Sequence, residues 1–177
     1  CLYLFIIVGK MQKLDLIKKN IFESANSPAF NRLLAYWQFK DKQIVFTNGC
    51  FDIVHLGHIE YLAKSKEEGD VLIIGLNSDS SVRRLKGSHR PINDENMRSM
   101  ILSSIKFVDA VVFFDEDTPY NLISVIQPDV LVKGADYKPE DIVGYDIVMA
   151  KGGRVATIEL TSGYSTTAIE KKIRESI

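Results

Sequence analysis

Thr47-Asn48-Gly49-Cys50-Phe51-Asp52-Ile53-Val54-His55-Leu56-Gly57-His58 is the stretch from which the rest of this chain can be read. Just before it, Ile44-Val45-Phe46-Thr47 is a short apolar run ending at Asn48-Gly49, the pattern of a buried strand closed by a turn. Just after it, Gly57–Glu68 places Ile59, Leu62 and Ala63 on one face, which predicts a helix capped by Gly69. The stretch is therefore the hand-over from a first strand to a first helix, with Gly49 allowing a tight turn. His55 and His58 are three residues apart and converge at the N-terminus of a helix that begins near Gly57. Free N–H groups and positive potential gather there. Two imidazoles at such a place suit a polyphosphate and the charge that develops in phosphoryl chemistry. Gly57 lets a ligand approach the backbone. Two other readings compete: zinc ligation with His89 as a third ligand, for which no carboxylate or cysteine cluster speaks, and a purely structural pair.

Outward from this junction the pattern repeats. Val71–Leu76 is a second apolar run. Asn93 reads as an N-cap, with Asp94 and Glu95 in the first turn and Met97, Ile101 and Ile105 on one face. Ala110–Phe114 reads as a strand, Thr118-Pro119 as the start of a helix that stops before Pro128, Val130–Lys133 and Arg154–Ile158 as strands, and Ser165–Arg174 as a closing helix. Short apolar strands alternating with amphipathic helices imply parallel pairing with helices on both faces. The expected fold is α/β: a Rossmann-like three-layer domain over residues 43–177 with about five parallel strands, ligands binding beyond their carboxyl ends. Residues 11–42 read as an N-terminal helical appendage, with Leu14, Ile17, Ile21 and Phe22 at helical spacing, an interruption at Pro28, and a second stretch through Leu33, Leu34 and Trp37. Residues 1–10 read as an upstream or non-native extension, because Met11 opens a sensible helical segment. An added edge strand or interface patch is the alternative, since the run Leu2–Val8 should not sit in water.

The 177 residues, 46% hydrophobic and 25% charged, suit one soluble globular domain. Lysine plus arginine is 22 against 23 for aspartate plus glutamate, a net charge of −1, which argues against a general nucleic-acid coat. Leu2–Val8 is too short to span a bilayer and makes a poor signal peptide, so no membrane association is expected. Two cysteines cannot form a disulfide framework, which favours a reducing, cytoplasmic compartment. Cys50 reads as a small buried residue rather than a nucleophile, having no base beside it.

Four cations, Arg83, Arg84, Lys86 and Arg90, fall beyond the second strand. They read either as a solvated loop or as partners for phosphate oxygens. Asp136-Tyr137, after the Val130 strand, is either an ordinary turn or part of the ligand crevice. Ser165, Thr166 and Thr167 open the final helix, where hydroxyls can cradle phosphate or cap the helix, Thr167 with Glu170 forming a capping box. Asp52 would repel a polyphosphate unless paired, so it is expected to face sugar hydroxyls. Arg98 reads equally well as an active-site group or as a brace at a subunit interface.

The Thr47–His58 stretch resembles the H-x-G-H signature of the cytidylyltransferase-like nucleotidyltransferases. The run from about Gln43 to Ile173 is similar to the branch that adenylylates D-glycero-β-D-manno-heptose 1-phosphate, free-standing in some bacteria and fused to a sugar kinase in others. The narrower likeness rests on Thr47–His58, Lys86-Gly87 with Arg90-Pro91, Glu116–Pro119, Pro128–Tyr137 and Ser162–Thr167 together. Leu160 stands where the glycerol-3-phosphate cytidylyltransferases have an arginine. The resemblance implies ATP and a sugar 1-phosphate as substrates and ADP-heptose and pyrophosphate as products, for lipopolysaccharide core precursors. It implies catalysis by His55, His58 and Lys86. Asn48, Gly49, Phe51 and Gly57, then Lys133, Gly134, Ser165 and Thr166, would hold the nucleotide, while Asp52, Arg90 and Asp136 would meet the sugar phosphate. Magnesium (Mg2+) would be held by phosphates and water rather than by protein ligands. A homodimer and a functional pairing with a separate heptose kinase are implied as well. Two rivals remain: a cytidylyltransferase for a polyol phosphate, and a non-catalytic nucleotide-binding regulatory protein.

Overall fold

A computed structural model describes residues 12–161 and 163–176. The terminal extension 1–10, Met11 and Ser162 lie outside the described residues. The elements follow in the order α1 (Lys13–Lys18), β1 (Ile21–Phe22), α2 (Pro28–Phe39), β2 (Ile44–Gly49), α3 (Leu56–Glu67), β3 (Val71–Asn77), α4 (Asp79–Lys86), α5 (Glu95–Ser103), β4 (Ala110–Phe114), α6 (Tyr120–Ile126), β5 (Val130–Gly134), a short 3-10 turn (Pro139–Asp141), α7 (Tyr145–Ala150), β6 (Arg154–Ile158) and α8 (Thr166–Arg174). The strands form one parallel sheet in the order β1-β4-β3-β2-β5-β6.

The continuous apolar runs follow from this layering, because a strand covered on both faces must be apolar at successive positions. Ile44 and Phe46 of β2, with Val71 and Ile73 of β3, join Phe30 and Leu34 of α2, Ile123 and Ile126 of α6 and Val148 of α7 on one side. Val45, Leu72, Ile74 and Leu76 turn the other way, towards Tyr61 and Leu62 of α3 and Leu102 of α5. Among the described residues, no helix is long and apolar enough to cross a membrane.

The sheet has six strands: the five expected over residues 43–177 and one more before them. The extra strand is Ile21–Phe22, paired with Val111 and Val112 of β4. Its two residues keep a helical spacing with Leu14 and Ile17, and two residues are too few to show alternation. Within the stretch read as an appendage, Phe30 is fully buried and Phe22 nearly so, their rings 5.2 Å apart. A second correction concerns α5. Its cap is Asp94, whose carboxylate accepts from the Met97 N–H at 2.8 Å, and not Asn93. Its buried face carries Arg98 and Leu102, while Met97 is half exposed. An arginine in the core is what misled the periodicity.

Burial of Phe30 ties α2 to the sheet, so Phe30→Ala is expected to cost about 3–5 kcal/mol and to lower Tm by roughly 6–20 °C. A thermal melt should show this as one shifted transition. An unshifted main transition with a new early one would mean that residues 12–42 unfold apart from the sheet.

Candidate active site

The strand order reverses between β2 and β5: the chain runs outward from β2 through β3 to β4, then returns to add β5 and β6 on the other side. Ligands of open α/β sheets bind at such a point. Pairing across this seam covers only Val45↔Val130 and Phe46↔Leu131, whereas β2 pairs with β3 from Ile44 to Gly49. Where the backbone pairing stops, Lys133 Nζ donates to Asn48 Oδ1 at 2.6 Å. Burial pushes the Lys133 pKa down to about 8, with Asp136 pulling it back up. A Cβ on Gly134 would come within 2.5 Å of Asp136 Oδ1, so this carboxylate folds back on a backbone that only glycine provides. Below the seam, the Tyr61 hydroxyl donates to the Val132 carbonyl at 3.2 Å, which leaves the Thr47 hydroxyl to donate to it at 2.7 Å. Burial pushes the Tyr61 pKa up to about 12, so it remains a donor. Sequence reasoning missed Tyr61; the signal was an aromatic hydroxyl on an otherwise apolar helix face.

The turn between β2 and α3 is strained at Phe51 and not at Gly49. Phe51 has φ 46° and is 5% exposed. Gly49 instead makes room, since a Cβ there would lie 3.0 Å from the Phe51 ring. The Phe51 ring tilts against His58 at 5.3 Å. His55 and His58 meet at the start of α3, their rings stacked at 3.9 Å and 25°. His58 Nδ1 faces the His55 N–H at 3.4 Å. Burial pushes the His58 pKa down to about 4, the neighbouring His55 adds to this, and the Ile53 carbonyl opposes it. Burial also lowers His55, whose Nδ1 is buried without a partner. Two cations at this distance would repel. Both shifts, and the closeness of the rings, favour neutral imidazoles. On Gly57 a Cβ would crowd His55 Nδ1 at 3.2 Å and Tyr164 Cβ at 3.4 Å.

Asp52 is 5% exposed and does not present a free carboxylate. Its oxygens accept from Ile92 N at 2.8 Å, Asn93 N at 2.9 Å and Arg90 Nη1 at 2.8 Å. Burial works against its charge, yet these donors prevail and hold its carboxyl below the usual range. That geometry replaces the expectation that Asp52 faces sugar hydroxyls. Arg90 continues the chain of charges, donating through Nη2 to Glu170 Oε2 of α8 at 2.6 Å. Glu170 is thus not part of a capping box; Ser165 caps α8 by accepting from the Ala168 N–H at 3.0 Å. Arg98 is fully buried, and its guanidinium is taken up by contacts within the chain. It donates to the Cys50 carbonyl at 2.6 Å, the Asn93 carbonyl at 3.1 Å and Asp79 Oδ1 at 2.7 Å. Burial pushes the Cys50 thiol up, with the charge of Lys86 opposing, which suits an inert residue. Lys86 closes α4 and is exposed, as are Ser165 and Arg83. Thr161 bonds Glu60 of α3 through its hydroxyl. Two hollows of about 530 and 720 Å³, one beyond the carboxyl end of β4 and one at the amino ends of β2, β5 and β6, include neither histidine. The candidate site is an open crevice between the starts of α3 and α8.

The cytidylyltransferase-like family model matches residues 46–172. The chain belongs to that family. It is 50% identical over 177 residues to the bifunctional protein HldE of Campylobacter jejuni subsp. doylei, a match covering 96% of this chain and 37% of that protein. The corresponding protein of Wolinella succinogenes is 53% identical over 148 residues, covering 84% and 30%. The chain thus spans about a third of the length of these relatives. Among solved structures, the lipopolysaccharide core biosynthesis protein from Thermoplasma volcanium GSS1 is 31% identical with a TM-score of 0.55, covering 70% of this chain and 99% of that one. Pantoate-β-alanine ligase from Francisella tularensis has a TM-score of 0.57 at 18% identity, covering 88% of this chain and 77% of that one, and shares the fold alone.

In this cytidylyltransferase-like chain, no group of three or more His, Cys, Asp or Glu that could hold a metal ion gathers among the described residues. The depressed His58 pKa has a consequence for stability. The unfolded chain takes up that proton near pH 6.5, the folded one near 4. Acidification through this window favours the unfolded state. Between pH 7 and 5 the protein should lose about 1–2 kcal/mol more stability than His58→Asn, after allowance for partial solvent screening. Denaturant titrations of both proteins at the two pH values check this; equal losses would mean that His58 titrates normally.

Proposed function

We propose that the chain transfers AMP from ATP to D-glycero-β-D-manno-heptose 1-phosphate, releasing pyrophosphate and making ADP-heptose for lipopolysaccharide core precursors. The observation that carries the reaction class is the stacked His55–His58 pair at the start of α3, beside a cationic seam closed by Lys133 and Asn48. The sugar-phosphate oxygen attacks the α-phosphorus as the bond to the β-phosphate breaks, and pyrophosphate takes the electron pair. A phosphate monoester is already anionic near neutrality, so no strong base is needed. The protein's task is alignment of two anions and stabilisation of spreading charge. His55 and His58 offer N–H donors, Lys86 and Lys133 charge, and Ser165 and Thr166 hydroxyls at a second helix start. Gly49, Gly57 and Gly134 keep the backbone open to nucleotide, with Phe51 setting the turn. Arg90 and Asp136 border the sugar-phosphate side, while Asp52 fixes the loop that carries Arg90. Magnesium fits as an ion carried in by the triphosphate, neutralising charge there.

The heptose substrate is supported by the five matching segments, by the HldE relatives and by a structural relative named for lipopolysaccharide core biosynthesis. Pairing with a heptose kinase is supported by the bifunctional nature of those relatives. A cytoplasmic homodimer belongs to the same reading.

Two measurements test this. Pyrophosphate release over a panel of nucleotides and sugar phosphates should give the highest kcat/KM for ATP with heptose 1-phosphate. A clear preference for CTP would overturn the nucleotide assignment. His58→Ala should lower kcat by about 10²–10³, roughly 3–4 kcal/mol, because its contact strengthens as pyrophosphate departs. Near-normal turnover per folded molecule would remove His58 from the mechanism.

A further inference from the structure

Helix α8 carries Thr166 and begins at its cap Ser165, yet it buries none of its residues. Ile169 is partly buried, but nothing in the nine-residue helix sinks into the core, so hydrophobic burial holds it only weakly. Polar contacts must supply the rest. Among the described residues, the ion pair that ties the body of α8 to the rest of the molecule is Glu170 to Arg90, with side chains only 18% and 12% exposed. Arg90 is in turn fixed by Asp52, which belongs to the turn carrying Phe51 and His55. The approach to α8 is anchored by the Thr161 hydroxyl on Glu60 and by Tyr164 against Gly57. Those anchors hold the loop before the helix and leave the helix direction to Glu170.

Resting on the nucleotidyltransferase reading above, we infer that Glu170 is a positioning residue: through Arg90 and Asp52 it docks α8 so that Ser165 and Thr166 stand opposite the stacked imidazoles. The two halves of the nucleotide site come from distant segments, residues 47–58 and 161–170, and among the described residues no backbone hydrogen bond joins them directly. Besides the Thr161–Glu60 bond and the Tyr164–Gly57 contact, a chain of three charges joins them, from Asp52 to Arg90 to Glu170. Ser165 and Thr166 would hold the triphosphate before and during the reaction alike. Loss of their alignment therefore weakens binding more than turnover, and appears in KM rather than kcat.

Glu170 is the clean place to cut. Removing it leaves Arg90 paired with Asp52, so no buried charge is stranded. Removing Arg90 would orphan two carboxylates and threaten the fold. In E170A, hydrogen exchange over residues 166–174 should quicken while the sheet stays protected and Tm holds. ATP affinity by calorimetry and KM for ATP should each worsen about tenfold, with kcat within about threefold. E170Q keeps an oxygen for Arg90 and should recover most of the loss. Four results would overturn the role: unchanged exchange in α8; faster exchange with unchanged ATP affinity; a loss confined to kcat; or a fall in Tm with exchange rising across the whole sheet. Wild-type protein that binds no ATP would overturn the functional reading and this role with it. That case is told apart because failure of the role alone shows only as a difference between variant and wild type.

Discussion

Between β2 and β5 the backbone ladder covers two residue pairs, and beyond it a side-chain bond from Lys133 to Asn48 spans the gap. Everything that the site contains is arranged around this parting. The strands diverge because the chain reverses direction of winding there, which leaves both carboxyl ends free of a neighbour on one side. A crevice with unpaired strand ends must satisfy its polar groups by other means. Lys133 and Asn48 do this across the top, and Thr47, Tyr61 and Val132 across the bottom. These side-chain bonds tie the two strands together where their backbones no longer pair.

The histidine pair shows how position overrides residue type. An imidazole is ordinarily half-charged near neutral pH. Here burial favours the neutral form of both rings, and for His58 the neighbouring His55 adds to it. Under the proposed reaction such rings would offer directional N–H groups and leave positive charge to lysines. The same division appears at Asp52, whose negative charge is consumed by two backbone N–H groups and Arg90 before it can oppose a phosphate. A carboxylate in this turn would be tolerable beside a bound anion because it is already saturated.

Much of this was legible in the sequence, and the failures have identifiable causes. The parallel α/β architecture, the strand-to-helix junction and the convergence of His55 with His58 follow from apolar runs and spacing. Ile21–Phe22 was not legible as a strand, because two residues carry no period. The inward face of α5 was hidden because its largest buried side chain is Arg98, and a charged residue in a helix is ordinarily assigned to solvent. Asp52, Arg90 and Glu170 could each be singled out, yet their union could not. It joins positions 38 and 80 residues apart, and only the folded chain brings such distant charges together.

Phe51 shows how little freedom this junction has. Its left-handed backbone suits glycine, while its buried ring, wedged between Gly49 and His58, suits nothing but a large aromatic side chain. Glycine would relax the backbone and leave a void beneath the histidine; leucine or valine would keep the strain and fill the space badly. Each remedy for one demand worsens the other. Support for the stacked imidazoles thus rests on a side chain whose own backbone is strained.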